Sequence, residues 1–255
     1  MEHFDLVVIG AGPGGYPAAI RGAQLGASVA LVEKEQLGGT CLNWGCIPTK
    51  TLIAAADTFA QIKHAGALGL RVQNASVDYA ALIAHKNQVV RQLQTGIKQL
   101  LAGNGVKLFT GSAAFKDRQT LSLGDGTLLG AQKIILATGS TSALPGFLPR
   151  HPRVVESRAF LARTDLPETM LVLGGGFIGC ELACMAALLG VKVTLVELLA
   201  DILLLLDADV RREVRTAMEK NLGIRILTGK ALEDIEADED AVRGRFGDET
   251  LRADL

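Results

Sequence analysis

Two stretches of this 255-residue chain follow one plan, and that duplication constrains the fold more than any other feature. The first runs Leu6-Val-Val-Ile9, then Gly10-Ala11-Gly12-Pro13-Gly14-Gly15, a helical stretch to about Leu25, and Val29-Ala30-Leu31-Val32 ending in Glu33. The second runs Met170-Leu-Val-Leu173, then Gly174-Gly175-Gly176-Phe177-Ile178-Gly179, a helical stretch to about Leu189, and Val193-Thr-Leu-Val196 ending in Glu197. The acid falls at the same distance from the first glycine both times. Short apolar runs alternating with helical periodicity predict parallel strands joined by crossover helices. The expected fold class is therefore α/β, with two Rossmann-like, three-layer dinucleotide-binding domains.

The glycine spacing has a physical reading. The first glycine permits a tight strand-to-helix turn, the second lets backbone approach a pyrophosphate, and the third allows close helix-to-strand packing. The helix N-terminus then presents free N–H groups to phosphate. Glu33 and Glu197 stand where a carboxylate accepts hydrogen bonds from an adenosine ribose and repels a 2'-phosphate, so the second unit favours NAD over NADP. One such glycine pattern is as often an ordinary turn. Two, each with its strand, helix and distal acid, point to two nucleotide sites.

Between the repeats, Thr51 to Ala65 and Tyr79 to Ala102 read as helices, and Lys107 to Ile135 as short strands with an Asp125-Gly126 turn. Leu144 to Pro149 reads as a connector, which divides the chain at 147/148 into a first and a second nucleotide domain, 1–147 and 148–255. The acidic segment Glu233 to Asp240 reads as a solvated loop or hairpin tip. A net charge of −1 with scattered basic residues gives no reason to expect nucleic acid, and the apolar run from Ile202 to Leu206 is too short to span a membrane. No signal peptide is predicted, and a cytoplasmic location is expected.

Four cysteines are too few for a disulfide scaffold, so each pair invites its own question. Cys180 and Cys184 fall in an apolar helical stretch and read as small buried hydrophobes. Cys41 and Cys46 lie in Gly38-Gly39-Thr40-Cys41-Leu42-Asn43-Trp44-Gly45-Cys46-Ile47-Pro48-Thr49-Lys50, close after the first ribose acid. A turn there would bring the sulfurs together. The spacing also fits a chance pair or half a zinc site, although no further Cys or His stands at matching spacing, and no metal is expected.

This ordered set resembles the class I pyridine nucleotide-disulfide oxidoreductases, whose signature G-G-T-C-x-N-x-G-C-x-P-[ST]-K matches from Gly38 to Lys50. Within them it is most similar to the dihydrolipoamide dehydrogenases, and the likeness covers essentially the whole chain. The resemblance implies FAD and NAD as cofactors and electron transfer from dihydrolipoamide through a Cys41–Cys46 disulfide and FAD to NAD. It implies Cys46 as the flavin-facing sulfur and Cys41 as the exchanging one, with Lys50 near flavin N5 paired to Glu181. It assigns flavin contacts to Gly10, Gly12, Gly14, Gly15, Glu33, Lys34, Gly39, Thr40, Cys41, Lys50, Ala113, Thr138, Gly139 and Ser140. Nicotinamide-side contacts fall on Gly174, Gly176, Phe177, Ile178, Gly179, Glu181 and Glu197, with Phe177 as a gating aromatic. Without the motif, Lys50 would read as surface charge and Phe177 as core.

The resemblance further implies a homodimer acting on a lipoyl domain of a 2-oxoacid dehydrogenase complex. Family members continue past the position of Leu255, with a second flavin contact, a dimerisation domain and a His-Glu base. The chain is therefore expected to be a fragment that holds FAD weakly and does not turn over lipoamide. His151-Pro152 followed by Glu156 repeats the spacing of that base motif, but its place in the connector reads as a turn. The rivals are a glutathione- or mercuric-reductase-like enzyme, disfavoured by Leu198 and Leu199 where a basic residue would suit NADPH, and a non-catalytic nucleotide-binding module.

Overall fold

A computed structural model describes residues 1–255. The chain separates into two compact units, one of Met1–Pro48 with Lys86–Thr141 and one of Thr49–His85 with Ser142–Leu255. In chain order the elements are β1 (Glu2–Ile9), α1 (Tyr16–Gln24), β2 (Val29–Glu33), α2 (Gly39–Trp44), α3 (Cys46–His64), α4 (Tyr79–Gly103), β3 (Lys107–Thr110), β4 (Ala113–Phe115), β5 (Thr120–Leu123) and β6 (Leu128–Leu136). There follow α5 (Ser157–Ala162), β7 (Thr169–Leu173), α6 (Phe177–Leu188), β8 (Lys192–Glu197), α7 (Ala208–Lys220), β9 (Arg225–Thr228), β10 (Glu233–Ala237), β11 (Val242–Phe246) and β12 (Glu249–Ala253). The expected α/β class with parallel sheets is what the chain adopts. No helix is long and apolar enough to cross a membrane.

In the first unit a six-stranded sheet runs β3-β2-β1-β6-β5-β4. Its β3, β2, β1 and β6 are parallel, with Leu6 opposite Val29 and Leu31 opposite Leu108, while β5 and β4 return antiparallel. Continuous apolar runs suit strands covered on both faces. Alternation then divides them between two cores. Val8 and Leu31 pack with Ala19 of α1 and with Ile97 and Leu101 of α4. Val7, Ala30 and Val32 pack on the other face with Leu121 and Leu129. The Asp125-Gly126 turn forms as expected, Asp125 Oδ1 accepting the Thr127 N–H at 2.9 Å and Gly126 taking φ +87°.

The second unit repeats the plan with a parallel sheet ordered β7-β8-β9, Thr169 opposite Lys192 and Thr194 opposite Arg225. Helix α6 is apolar nearly all round and buries Cys180, Leu182, Ala183, Met185 and Ala186. An antiparallel sheet ordered β10-β11-β12 accompanies it. Here one expectation needs correction. The acidic segment is mostly strand, with only the residues after Ala237 forming the hairpin tip. Its carboxylates face arginines of the next strand, Arg245 pairing with Glu233 at 2.7 Å and Asp234 at 2.9 Å, and cross-strand opposite charges stabilise a ladder that composition alone assigns to solvent.

Candidate functional site

The two glycine turns carry the same hydrogen bonds. Gly10 and Gly174 take φ +98° and +105°, a region open to glycine, and donate their N–H to Val32 O at 2.8 Å and Val196 O at 2.9 Å. Glu33 accepts the Ala11 N–H through Oε2 at 2.7 Å and the Glu35 N–H through Oε1 at 2.8 Å. Glu197 accepts the Gly175 N–H through Oε2 at 2.6 Å and the Leu199 N–H through Oε1 at 2.8 Å. Each acid therefore braces its own turn, a function that spacing did not reveal. A carboxylate has about four acceptor positions, so capacity for a ribose remains.

The third glycine packs as expected. A Cβ at Gly15 would stand 1.7 Å from Gly10 O, and one at Gly179 would stand 2.0 Å from Gly174 O. Neither α1 nor α6 is capped by a side chain; in α1 the Tyr16 N–H already donates to Gly12 O at 3.1 Å and Pro17 has none, so the first turn of α6 leaves more amides for a ligand than that of α1. Open space surrounds the position a Cβ would take at Gly176, and Gly14 is exposed. These are the properties of a phosphate cradle, and a dinucleotide pyrophosphate fits both turns. Beside the first lies Ala137-Thr138, with Thr138 Cα 3.3 Å from where a Gly10 Cβ would fall. Gly139 and Ser140 follow it, exposed. Lys34 is exposed just after β2, and Ala113 opens β4 two residues after Gly111, whose N–H donates to Glu33 O at 2.8 Å.

The cysteines are joined. Cys41 sits within α2, Cys46 is the first residue of α3, Gly45 separates the helices, and the two Cα atoms are 4.6 Å apart in a disulfide. Helix α2 springs directly from the first nucleotide turn. The Gly38 N–H donates to Ala11 O at 2.8 Å, and a Cβ on Gly39 would come within 2.6 Å of Gly12 Cα. Thr40 lies exposed on the same short helix. Helix α3 begins at Cys46 rather than near Thr51, since Pro48 falls in the first turn, where its missing N–H costs nothing.

One turn beyond Cys46, Lys50 forms an ion pair with Glu181 of α6. Phe177 and Ile178, at the start of α6, are 51% and 63% exposed, so Phe177 is not a core residue. Cys180 and Cys184 are unbonded, and burial pushes their thiols up to about 12 and about 11, so both stay protonated and inert near neutrality. His151 accepts the Arg153 N–H through Nδ1 at 3.3 Å, and Glu156 caps α5 through the amides of Arg158 and Ala159. Both members of that His-Pro-x-x-x-Glu spacing are thus used in local structure. Sequence reasoning missed Gln94 and gave Asn43 no part, although Asn43 stands between the cysteines in the quoted signature.

Two braced dinucleotide turns and a cystine rooted on one of them define a class of nucleotide-dependent disulfide redox proteins. The family model described as pyridine nucleotide-disulphide oxidoreductase matches residues 4–255, and the chain belongs to that family of oxidoreductases. It is 41% identical over 247 residues to a dihydrolipoyl dehydrogenase of Chlamydia muridarum, covering 95% of this chain and 53% of the relative. A dihydrolipoyl dehydrogenase of Thermus scotoductus is 44% identical over 231 residues, covering 90% and 49%. Among solved structures, the Cu(II) complex of the HOCl-induced flavoprotein disulfide reductase RclA from Escherichia coli matches with TM-score 0.85 and 30% identity, over 100% of this chain and 55% of that one. The chain thus spans about half the length of the curated relatives it matches.

Proposed function

We propose that this chain carries the nucleotide and disulfide half of a dihydrolipoyl dehydrogenase, with FAD at the first turn and NAD at the second. The observation that supports this most is the Cys41–Cys46 disulfide, whose Cys41 lies on a helix that starts against the first nucleotide turn. When bound, FAD would supply two-electron redox chemistry and NAD a hydride acceptor. The domains follow as 1–147 for FAD and 148–255 for NAD.

The chain's own residues would act as follows. A thiolate of a lipoamide-type dithiol attacks Cys41 Sγ, and the S–S bond breaks to leave Cys46 as thiolate. The second substrate thiolate closes the substrate disulfide and releases Cys41. Cys46, at the start of the 19-residue α3, has its negative charge favoured by the helix N-terminus. Lys50 would hold a cation beside the flavin, oriented by Glu181, and Phe177 would cover the nicotinamide approach. Gly10, Gly12, Gly14 and Gly15, with Glu33, Lys34, Gly39, Thr40, Ala113 and Thr138 to Ser140, would contact FAD. Gly174, Gly176, Ile178, Gly179 and Glu197 would hold NAD, with NADP disfavoured because Glu197 is fixed in place by two amides. In this reading the natural partner is a lipoyl domain, the working unit is a homodimer, and the cytoplasm suits a disulfide that cycles rather than persists.

The test is Cys46→Ser in FAD-loaded protein. Dihydrolipoamide-dependent bleaching of the flavin should vanish while FAD and NADH binding persist. Bleaching equal to that of the unaltered protein would leave a nucleotide-binding module instead.

A further inference from the structure

Between the cysteines, Asn43 makes a network no motif explains. Its Nδ2 donates to Leu37 O at 3.0 Å and to Gly39 O at 2.9 Å. Carbonyl oxygens only accept, so the amide orientation is fixed and Oδ1 must find a donor. That donor is Gln94 of α4, whose Nε2 lies 2.5 Å from Asn43 Oδ1 and 3.4 Å from Gln36 Oε1. All these residues belong to the first unit, and Asn43 and Gln94 are partly buried. The bonded carbonyl of Gly39 belongs to the residue that rests on Gly12.

We infer that Gln94 and Asn43 are a positioning pair for the redox disulfide: they tie α2 to Leu37 ahead of it and to α4, brace its own first turn at Gly39, and so favour the bonded state of Cys41 and Cys46. Cys41 is two residues before Asn43 on a helix of six residues, which has too few internal hydrogen bonds to stay in place alone. Holding it raises the effective concentration of one sulfur at the other. The inference rests on the disulfide being the redox group of the proposed function, yet it concerns only the equilibrium between disulfide and dithiol.

That equilibrium is measured on the protein as it stands. Dithiothreitol gives two electrons and two protons to Cys41–Cys46, yielding two thiols and cyclic oxidised dithiothreitol, and the fraction reduced is read by thiol alkylation across a series of buffer ratios. Gln94→Glu presents an acceptor to the acceptor Oδ1 of Asn43. It should make the disulfide roughly tenfold easier to reduce, about 30 mV for a two-electron couple. Gln94→Lys keeps a donor toward Asn43 Oδ1 and should leave the midpoint close to that of the unaltered protein. Asn43→Asp sets a carboxylate against two carbonyls and should shift the equilibrium in the same direction as Gln94→Glu. Thermal unfolding of the oxidised proteins separates this from general loss of structure. If Gln94→Glu lowers the unfolding temperature but leaves the redox midpoint where it was, or if Gln94→Lys shifts as far as Gln94→Glu, the inference is wrong. A wild-type pair that resists reduction by dithiothreitol in the folded protein overturns both the inference and the redox reading beneath it.

Discussion

Glu197 holds the backbone of Gly175, its Oε2 2.6 Å from the amide nitrogen, and Glu33 holds Ala11 in the same way at 2.7 Å. In both acids the other oxygen takes a second amide. A glutamine offers one acceptor and one NH2 group, which must face an N–H. Glu197→Gln is therefore expected to cost about 1–3 kcal/mol even without nucleotide, read as a lower urea midpoint. An unchanged midpoint would show that the carboxylate does not support the turn.

Backbone contact makes a second prediction. Gly15→Ala and Gly179→Ala each push a methyl into a carbonyl oxygen, at 1.7 and 2.0 Å, and backbone does not rotate aside. Each should lose about 2 kcal/mol or more, whereas Gly66→Ala, with nothing within 4 Å, should be neutral or slightly stabilising. Thermal melts of the three variants side by side provide the comparison.

Lys50 and Glu181 are 58% and 39% exposed, and water screens such a pair. Glu181→Gln should change stability by under about 1 kcal/mol. Reduction of bound flavin should nevertheless slow by roughly tenfold or more if Lys50 stands beside the ring. Stopped-flow reduction together with a chemical melt distinguishes the two: a stability loss with unaltered flavin reduction would make the pair structural.

Burial raises the Cys180 and Cys184 thiols to about 12 and about 11 from an ordinary value of 9.0. In the unfolded chain they ionise first, so the folded state binds more protons above pH 9 and loses stability as pH rises. Stability from this source is full below about pH 9 and falls away toward pH 11–12. Cys180→Ala should flatten that alkaline decline, and neither thiol should react with iodoacetamide in the native protein at pH 8. Rapid native labelling of Cys180 would contradict the burial.

The repeat was legible because its rules are local: a positive φ at Gly10, no room for a Cβ at Gly15, an acid at the strand end. The disulfide pairing was suggested by resemblance, since spacing alone left a zinc half-site open. The Gln94–Asn43 contact was hidden because its partners are distant in sequence and amide pairs have no periodicity. Segment 233–237 was misjudged because its pairing depends on arginines of β11, and charge read without a partner points to solvent. The second use of Glu33 and Glu197 was invisible for a simpler reason. A backbone amide leaves no mark in a sequence.

The contact of Gly39 with Gly12 makes one object of two motifs. A side chain on the first would press against the main chain of the second, which has no slack to give. A substitution at Gly39 has to be matched by a backbone shift at Gly12, whereas a Cβ on Gly12 would stand 3.7 Å from Gly39 Cα in ordinary contact, so the constraint runs one way. Transplanting the cystine helix into another nucleotide domain would succeed only if the receiving turn came with it.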